Sequence, residues 1–122
     1  MTIKSTTIAP PYSIVVIDDP TNKEVPEWVD GPVVSGTESC LLVSCMAEVD
    51  GETEFTMGTA KEVSPGTHLV FHGILNTPSS RIVIETAEGD TILESPTVSR
   101  RTKIWIWANR ASRPDKVTVG IE

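Results

Sequence analysis

Hydrophobic and polar positions alternate with a period of two along most of this chain, and no stretch of helical length holds a 3.6-residue period. Residues 52–57 show it most plainly. Thr53, Phe55 and Met57 point one way and Glu52, Glu54 and Thr56 the other, as in a half-buried antiparallel strand. The segment before it, 39–49, is apolar and ends at Asp50-Gly51, whose tolerance of positive φ predicts a hairpin joining the two. Residues 81–86 alternate again with Ile82 and Ile84 inward, and Glu88-Gly89-Asp90 turns them into a strand over 91–94. Further strands are predicted at 12–18, 67–75, 102–108 and 116–121, each bounded by Pro, Gly, Asn or Asp. About eight strands without helical crossovers predict an all-β chain, a single-domain antiparallel β-sandwich over 1–122, with 1–10 as a flexible N-terminal arm. Two long connections stand between strands: 19–36, with Pro20, Pro26, Trp28 and Pro32, and 59–66, with Pro65.

At 122 residues the chain has room for one core and buries roughly two thirds of its unfolded surface, so it needs no metal or disulfide staple. Charge changes the picture more than length does. Residues 1–61 hold ten acids against three lysines, whereas 62–122 hold seven of each sign, so the net charge of -7 resides in the first half. Between Ile17 and Glu54 only Lys23 opposes the acids. Such a field repels phosphate backbones and anionic headgroups, which argues against direct nucleic-acid or membrane binding, and it steers a basic protein partner.

The first eleven residues lack the apolar stretch of a secretory signal, and no run approaches the roughly 20 residues that span a bilayer, so a cytoplasmic protein is expected. Cys40 and Cys45, five apart on a strand, would lie roughly 16 Å apart on opposite faces, too far for a disulfide. They read as small buried hydrophobes.

Catalytic and ligand signatures are sparse. His68 and His72 on a strand would share a face about 13 Å apart, too far for one metal ion. A nucleophile made of Cys40 or Cys45 with either histidine is disfavoured by the apolar setting of both thiols. Acidic pairs such as Asp18-Asp19 or Glu52 with Glu54 are too common here to single out an acid and a base, and no phosphate-cradling glycine motif occurs. The expectation is a non-enzymatic protein without cofactor or metal.

Aromatic residues are few, so the tryptophans matter. Trp28 sits in the loop VPEWVDG among Glu24, Glu27 and Asp30, a large aromatic ringed by acids, and with Asp18 and Asp19 it forms the candidate surface for a basic partner. In the predicted strand 102–108, Trp105 and Trp107 share a face with Lys103 opposite Ile104 and Ile106. Either that face is covered, or Lys103, Trp105 and Trp107 form a platform for a carbohydrate or peptide ligand, the alternative function. An exposed edge strand would pair two copies into a homodimer.

The succession SIVVIDDP, EWVDG, SCLLVSCMAEVDGETEF, LNTPSSRIVI and TKIWIWAN, which spans most of the chain, resembles the competence protein J (ComJ) family. That resemblance implies a small cytoplasmic β-rich inhibitor that blocks a DNA-entry nuclease by binding it. It transfers no individual functional residue. An immunity-like protein that occludes a basic enzyme such as a nuclease agrees with the acidic field, because carboxylates can stand where phosphates would lie in a cationic groove.

Overall fold

A computed structural model describes residues 3–122 and arranges them in two five-stranded sheets. The strands are β1 (Lys4–Ile8), β2 (Ile14–Asp18), β3 (Val34–Thr37), β4 (Cys40–Ser44), β5 (Thr53–Thr59), β6 (His68–Asn76), β7 (Arg81–Thr86), β8 (Thr91–Pro96), β9 (Arg101–Ala108) and β10 (Lys116–Ile121). The first sheet runs β1-β5-β10-β9-β6 and the second β3-β4-β2-β7-β8. Neighbours pair antiparallel except β5 and β10, which run parallel with four strands of chain between them.

Alternation sends one row of each strand into a shared core. Phe55, Met57, Ile104, Ile106, Val117 and Val119 enter it from the first sheet, and Val15, Ile17, Val43, Ile82 and Ile84 from the second. Full burial of one such side chain stabilises the fold by about 1.5–3 kcal/mol, so this row supplies the main driving force. The rows at 52–57 and 81–86 face as their alternation predicts, and Glu88-Gly89-Asp90 makes the expected turn, with Gly89 at φ 90°. On one side the sheets are tied by Lys4 Nζ, which donates to the Glu94 carbonyl at 2.8 Å.

Two segments read as irregular are strands. Lys4–Ile8, inside the expected N-terminal arm, pairs along β5 from Lys4 opposite Met57 to Ile8 opposite Thr53; residues 1 and 2 of that arm lie outside the described residues. Val34–Thr37, which takes up the end of the expected loop 19–36, forms a hairpin with β4 through Glu38-Ser39. Among the described residues ten strands thus replace about eight.

The predicted hairpin across Asp50-Gly51 does not form, because β4 and β5 belong to different sheets. Glu48–Asp50 makes a 3-10 turn and Gly51 takes φ 134°, so the dipeptide does reverse the chain locally. Beyond β4, however, Cys45 N donates to Ser13 O (2.9 Å) and Met46 N to Pro114 O (3.0 Å), which draws the chain across to the other sheet.

Strand β6 carries a β-bulge at Val70. Leu69 pairs with Trp107 and Phe71 with Ile106, and both Val70 and Phe71 pack on the core. The bulge reverses the phase, so His68 and His72, expected on one face, register with opposite rows: His68 with Ala108 and His72 with Trp105.

Candidate functional site

Residues 19–33, between β2 and β3, cross the outer face of the second sheet as a strap. On that face Val16, Cys40 and Leu42 form a second buried cluster with Ile14 packed on it, although an uncovered outer row would be wet. The strap residues Val25, Pro26 and Trp28 share with Ile14, Val16 and Leu42 a cleft of about 340 Å³. Pro20, Pro26 and Pro32 remove backbone donors and fix φ, which keeps the strap out of a sheet ladder.

Two carboxylates anchor its beginning. Asp19 is 1% exposed. Its Oδ1 accepts from Thr21 N (2.8 Å) and Thr21 Oγ1 (2.6 Å), and its Oδ2 from Ser79 N (2.8 Å) and Ser79 Oγ (2.7 Å). Burial alone would raise its pKa, but these hydrogen bonds outweigh burial and hold the carboxyl below its ordinary value. Asp18 is 3% exposed, and its Oδ2 accepts from Asn22 Nδ2 at 3.0 Å. At the far end Ser44 N donates to Val33 O at 2.7 Å.

Beneath the strap Asp18 meets a second acid. Glu85 of β7, half-buried on the same outer face, lies against Asp18, with a β-bulge between Ile84 and Glu85 setting its position. Burial pushes the Glu85 carboxyl up to about 7, and the hydrogen bond to Asp18 and its charge add to the rise. Both acids line the cleft, as does Lys23.

The six residues singled out for a basic partner therefore come together in two layers. Asp18 and Asp19 are buried and shape the strap from below, whereas Glu24, Glu27, Trp28 and Asp30 are exposed. Trp28 is 43% exposed, and the apolar side chains Val25 and Val29 stand open beside it. Tyr12, 73% exposed, lines a neighbouring hollow with Trp28, Asp30 and Arg113. Sequence reasoning missed Glu85 and Tyr12. The register that sets Val16 opposite Glu85 is the only signal for the former, and Tyr12 and Ser13 adopt φ 60° and 61° without a glycine or asparagine to announce it.

On the opposite side of the molecule, Lys103, Trp105 and Trp107 point outward from β9 as the alternation predicts, with both rings half-buried. The Trp105 ring stacks on His72, centroids 4.8 Å apart and planes 13° from parallel. Trp107 packs over Gly120, with Val63 beside it. Cys40 and Cys45 are free and buried on opposite faces, Cys40 beneath the strap and Cys45 in the main core. Burial pushes each thiol up to about 12, and Asp18 and Glu85 add to the rise at Cys40. Among the described residues no three of His, Cys, Asp and Glu converge as a metal site, and no helix is long and apolar enough to cross a membrane.

No protein-family model matches this sequence, and no curated protein sequence does. The fold is similar to that in the crystal structure of ComJ, inhibitor of the DNA degrading activity of NucA, from Bacillus subtilis, with a TM-score of 0.68 over 99% of this chain and 98% of that one at 13% identity. It is also similar to a protein described as crocagin biosynthetic gene J, with a TM-score of 0.51 over 98% of each chain at 11% identity. At these identities the likeness is one of fold, and in fold the chain resembles ComJ, as the order of its sequence segments implies.

Proposed function

We propose that this chain is a non-enzymatic binding protein that occludes a basic enzyme, a nuclease in the first instance, by laying its strap against it. The observation that carries the reading is the grouping of exposed Tyr12, Val25, Trp28 and Val29 with Glu24, Glu27 and Asp30. Interfaces gain most of their energy from a few desolvated aromatic and apolar anchors, while rim charges set approach rate and specificity. Carboxylates around Trp28 would occupy the phosphate positions of a cationic groove, and the same field disfavours direct contact with nucleic acid or membrane. ComJ, which shares the fold, is described as inhibiting a DNA-degrading activity, and this supports a nuclease as the enzyme. Two free buried thiols suit a reducing compartment such as the cytoplasm. The strap, rather than Lys103, Trp105 and Trp107, carries the reading, since those rings already pack on His72, Gly120 and Val63. Strands β1, β3, β6 and β8 stand at the sheet edges, but the proposal needs no dimer.

The test immobilises the native protein and a Glu24→Gln, Glu27→Gln, Asp30→Asn variant and passes lysate over both at low and high salt. The native protein should retain a basic nuclease at low salt only, the variant should lose it, and free native protein should inhibit DNA degradation by the captured enzyme. Absence of charge-dependent capture, or a captured enzyme that keeps full activity, overturns the proposal.

A further inference from the structure

The cleft under the strap contains a buried oxygen that loses its one partner when Glu85 ionises. Asp18 lines the cleft at 3% exposure, and among the described residues its Oδ1 has no donor apart from the proton that Glu85 carries while un-ionised. Buried oxygens are nearly always paired, so such an atom calls for a partner. What stands beside it is another acid, Glu85, which repels it whenever both are ionised. The remaining walls are largely apolar, from Ile14, Val16, Leu42, Pro26 and Trp28, and the chain's own cation there, Lys23, is exposed. Two carboxyls in a largely apolar cleft that an indole also lines match one kind of occupant: a long aliphatic stem ending in a cation.

We infer that this cleft receives one arginine side chain of a basic protein partner, its stem along Val16, Leu42 and Trp28 and its guanidinium against Glu85 and Asp18. The inference rests on the partner class proposed above and names the anchor at that same surface. Arginine fits better than lysine because its planar fork can engage two carboxylates at once and its face stacks on an aromatic ring. The cleft volume, about 340 Å³, admits one such side chain but not a folded segment.

The test titrates N-acetyl-arginine amide into isotope-labelled full chain and follows the Trp28 indole and Glu85 amide by NMR. N-acetyl-citrulline amide, of like shape without charge, and N-acetyl-lysine amide serve as comparisons. Expected are saturable shifts at Trp28 and Glu85, still signals at Trp105 and Trp107, and binding weakened about tenfold for citrulline and for the Glu85→Gln variant. Glu85 is half-buried and Gln is close to its shape, so this variant keeps its fold, which the same spectra verify; Asp18→Asn is the second variant. Citrulline binding as tightly as arginine, Glu85→Gln binding unchanged, or no saturable shift overturns the inference. Arginine binding without charge-dependent nuclease capture would sink the partner reading alone, and capture without arginine binding would sink this inference alone.

Discussion

Asp19 and Ser79, sixty residues apart in sequence, are joined through a single carboxylate oxygen: Asp19 Oδ2 accepts from Ser79 N at 2.8 Å and from Ser79 Oγ at 2.7 Å. Thr21 binds the other oxygen in the same two-donor manner. One side chain thereby ties the strap to the loop entering β7. Asp19→Ala leaves four donors without their acceptor and is expected to lower stability by about 2–4 kcal/mol, read as a drop in the denaturant midpoint at constant slope. An unchanged midpoint would show that the tie carries no energy.

The same residue sets an acid limit. Its hydrogen bonds, working against burial, hold the Asp19 carboxyl below 3.8, so its stabilisation is present above that value and is lost as pH falls through the lower folded value. Native protein should therefore lose stability more steeply than Asp19→Asn below pH about 4. Parallel acid-denaturation curves would refute the assignment.

Glu85 acts in the opposite sense. Its folded pKa, raised from 4.5 to about 7, gives stabilisation that is complete below 4.5 and disappears as pH rises through 7. Glu85→Gln removes the ionisation and should raise stability at pH 8 by about 1 kcal/mol, after discounting for water's screening of a partly exposed carboxyl, with little effect at pH 5. Thermal melts at both pH values measure it. A variant less stable at pH 8 would mean that the ionised pair does not strain the cleft.

Gly36 and Gly89 separate two reasons for a glycine. Both have positive φ, 128° and 90°, but a Cβ at Gly36 would overlap the Cys40 carbonyl oxygen, whereas at Gly89 it meets open space. Gly89→Ala should cost about 1 kcal/mol of backbone strain, and Gly36→Ala about 2–3 kcal/mol, since the β3–β4 hairpin must also shift. Equal midpoint losses would remove the steric argument.

Local alternation made the strand faces legible: the core row of Phe55 and Met57, that of Ile82 and Ile84, and the opposed sides of Cys40 and Cys45 all follow from period two. What sequence could not supply was pairing between distant strands. Asp50-Gly51 encodes a reversal but not the sheet that follows it, and Val70 bears no mark of the bulge that parts His68 from His72. The acidic strap was legible as a charged loop around Trp28. Its two layers were not, because Asp18 is buried beneath the strap and meets Glu85 on β7, a contact between distant strands that alternation alone does not specify.

The thiols offer a way to ask whether the strap opens independently of the core. With both pushed up to about 12 by burial, only about one thiol in ten thousand is thiolate at pH 8, so labelling by a disulfide reagent must wait for the structure to open. Cys40 lies under the strap and Cys45 in the core between the sheets. Asp19→Ala unties the strap from Ser79, so in single-cysteine variants it should speed labelling of Cys40 about tenfold more than that of Cys45. Equal acceleration at both positions would mean that strap and core unfold as one unit, and the cleft at Asp18 and Glu85 would then be as rigid as the sheets around it.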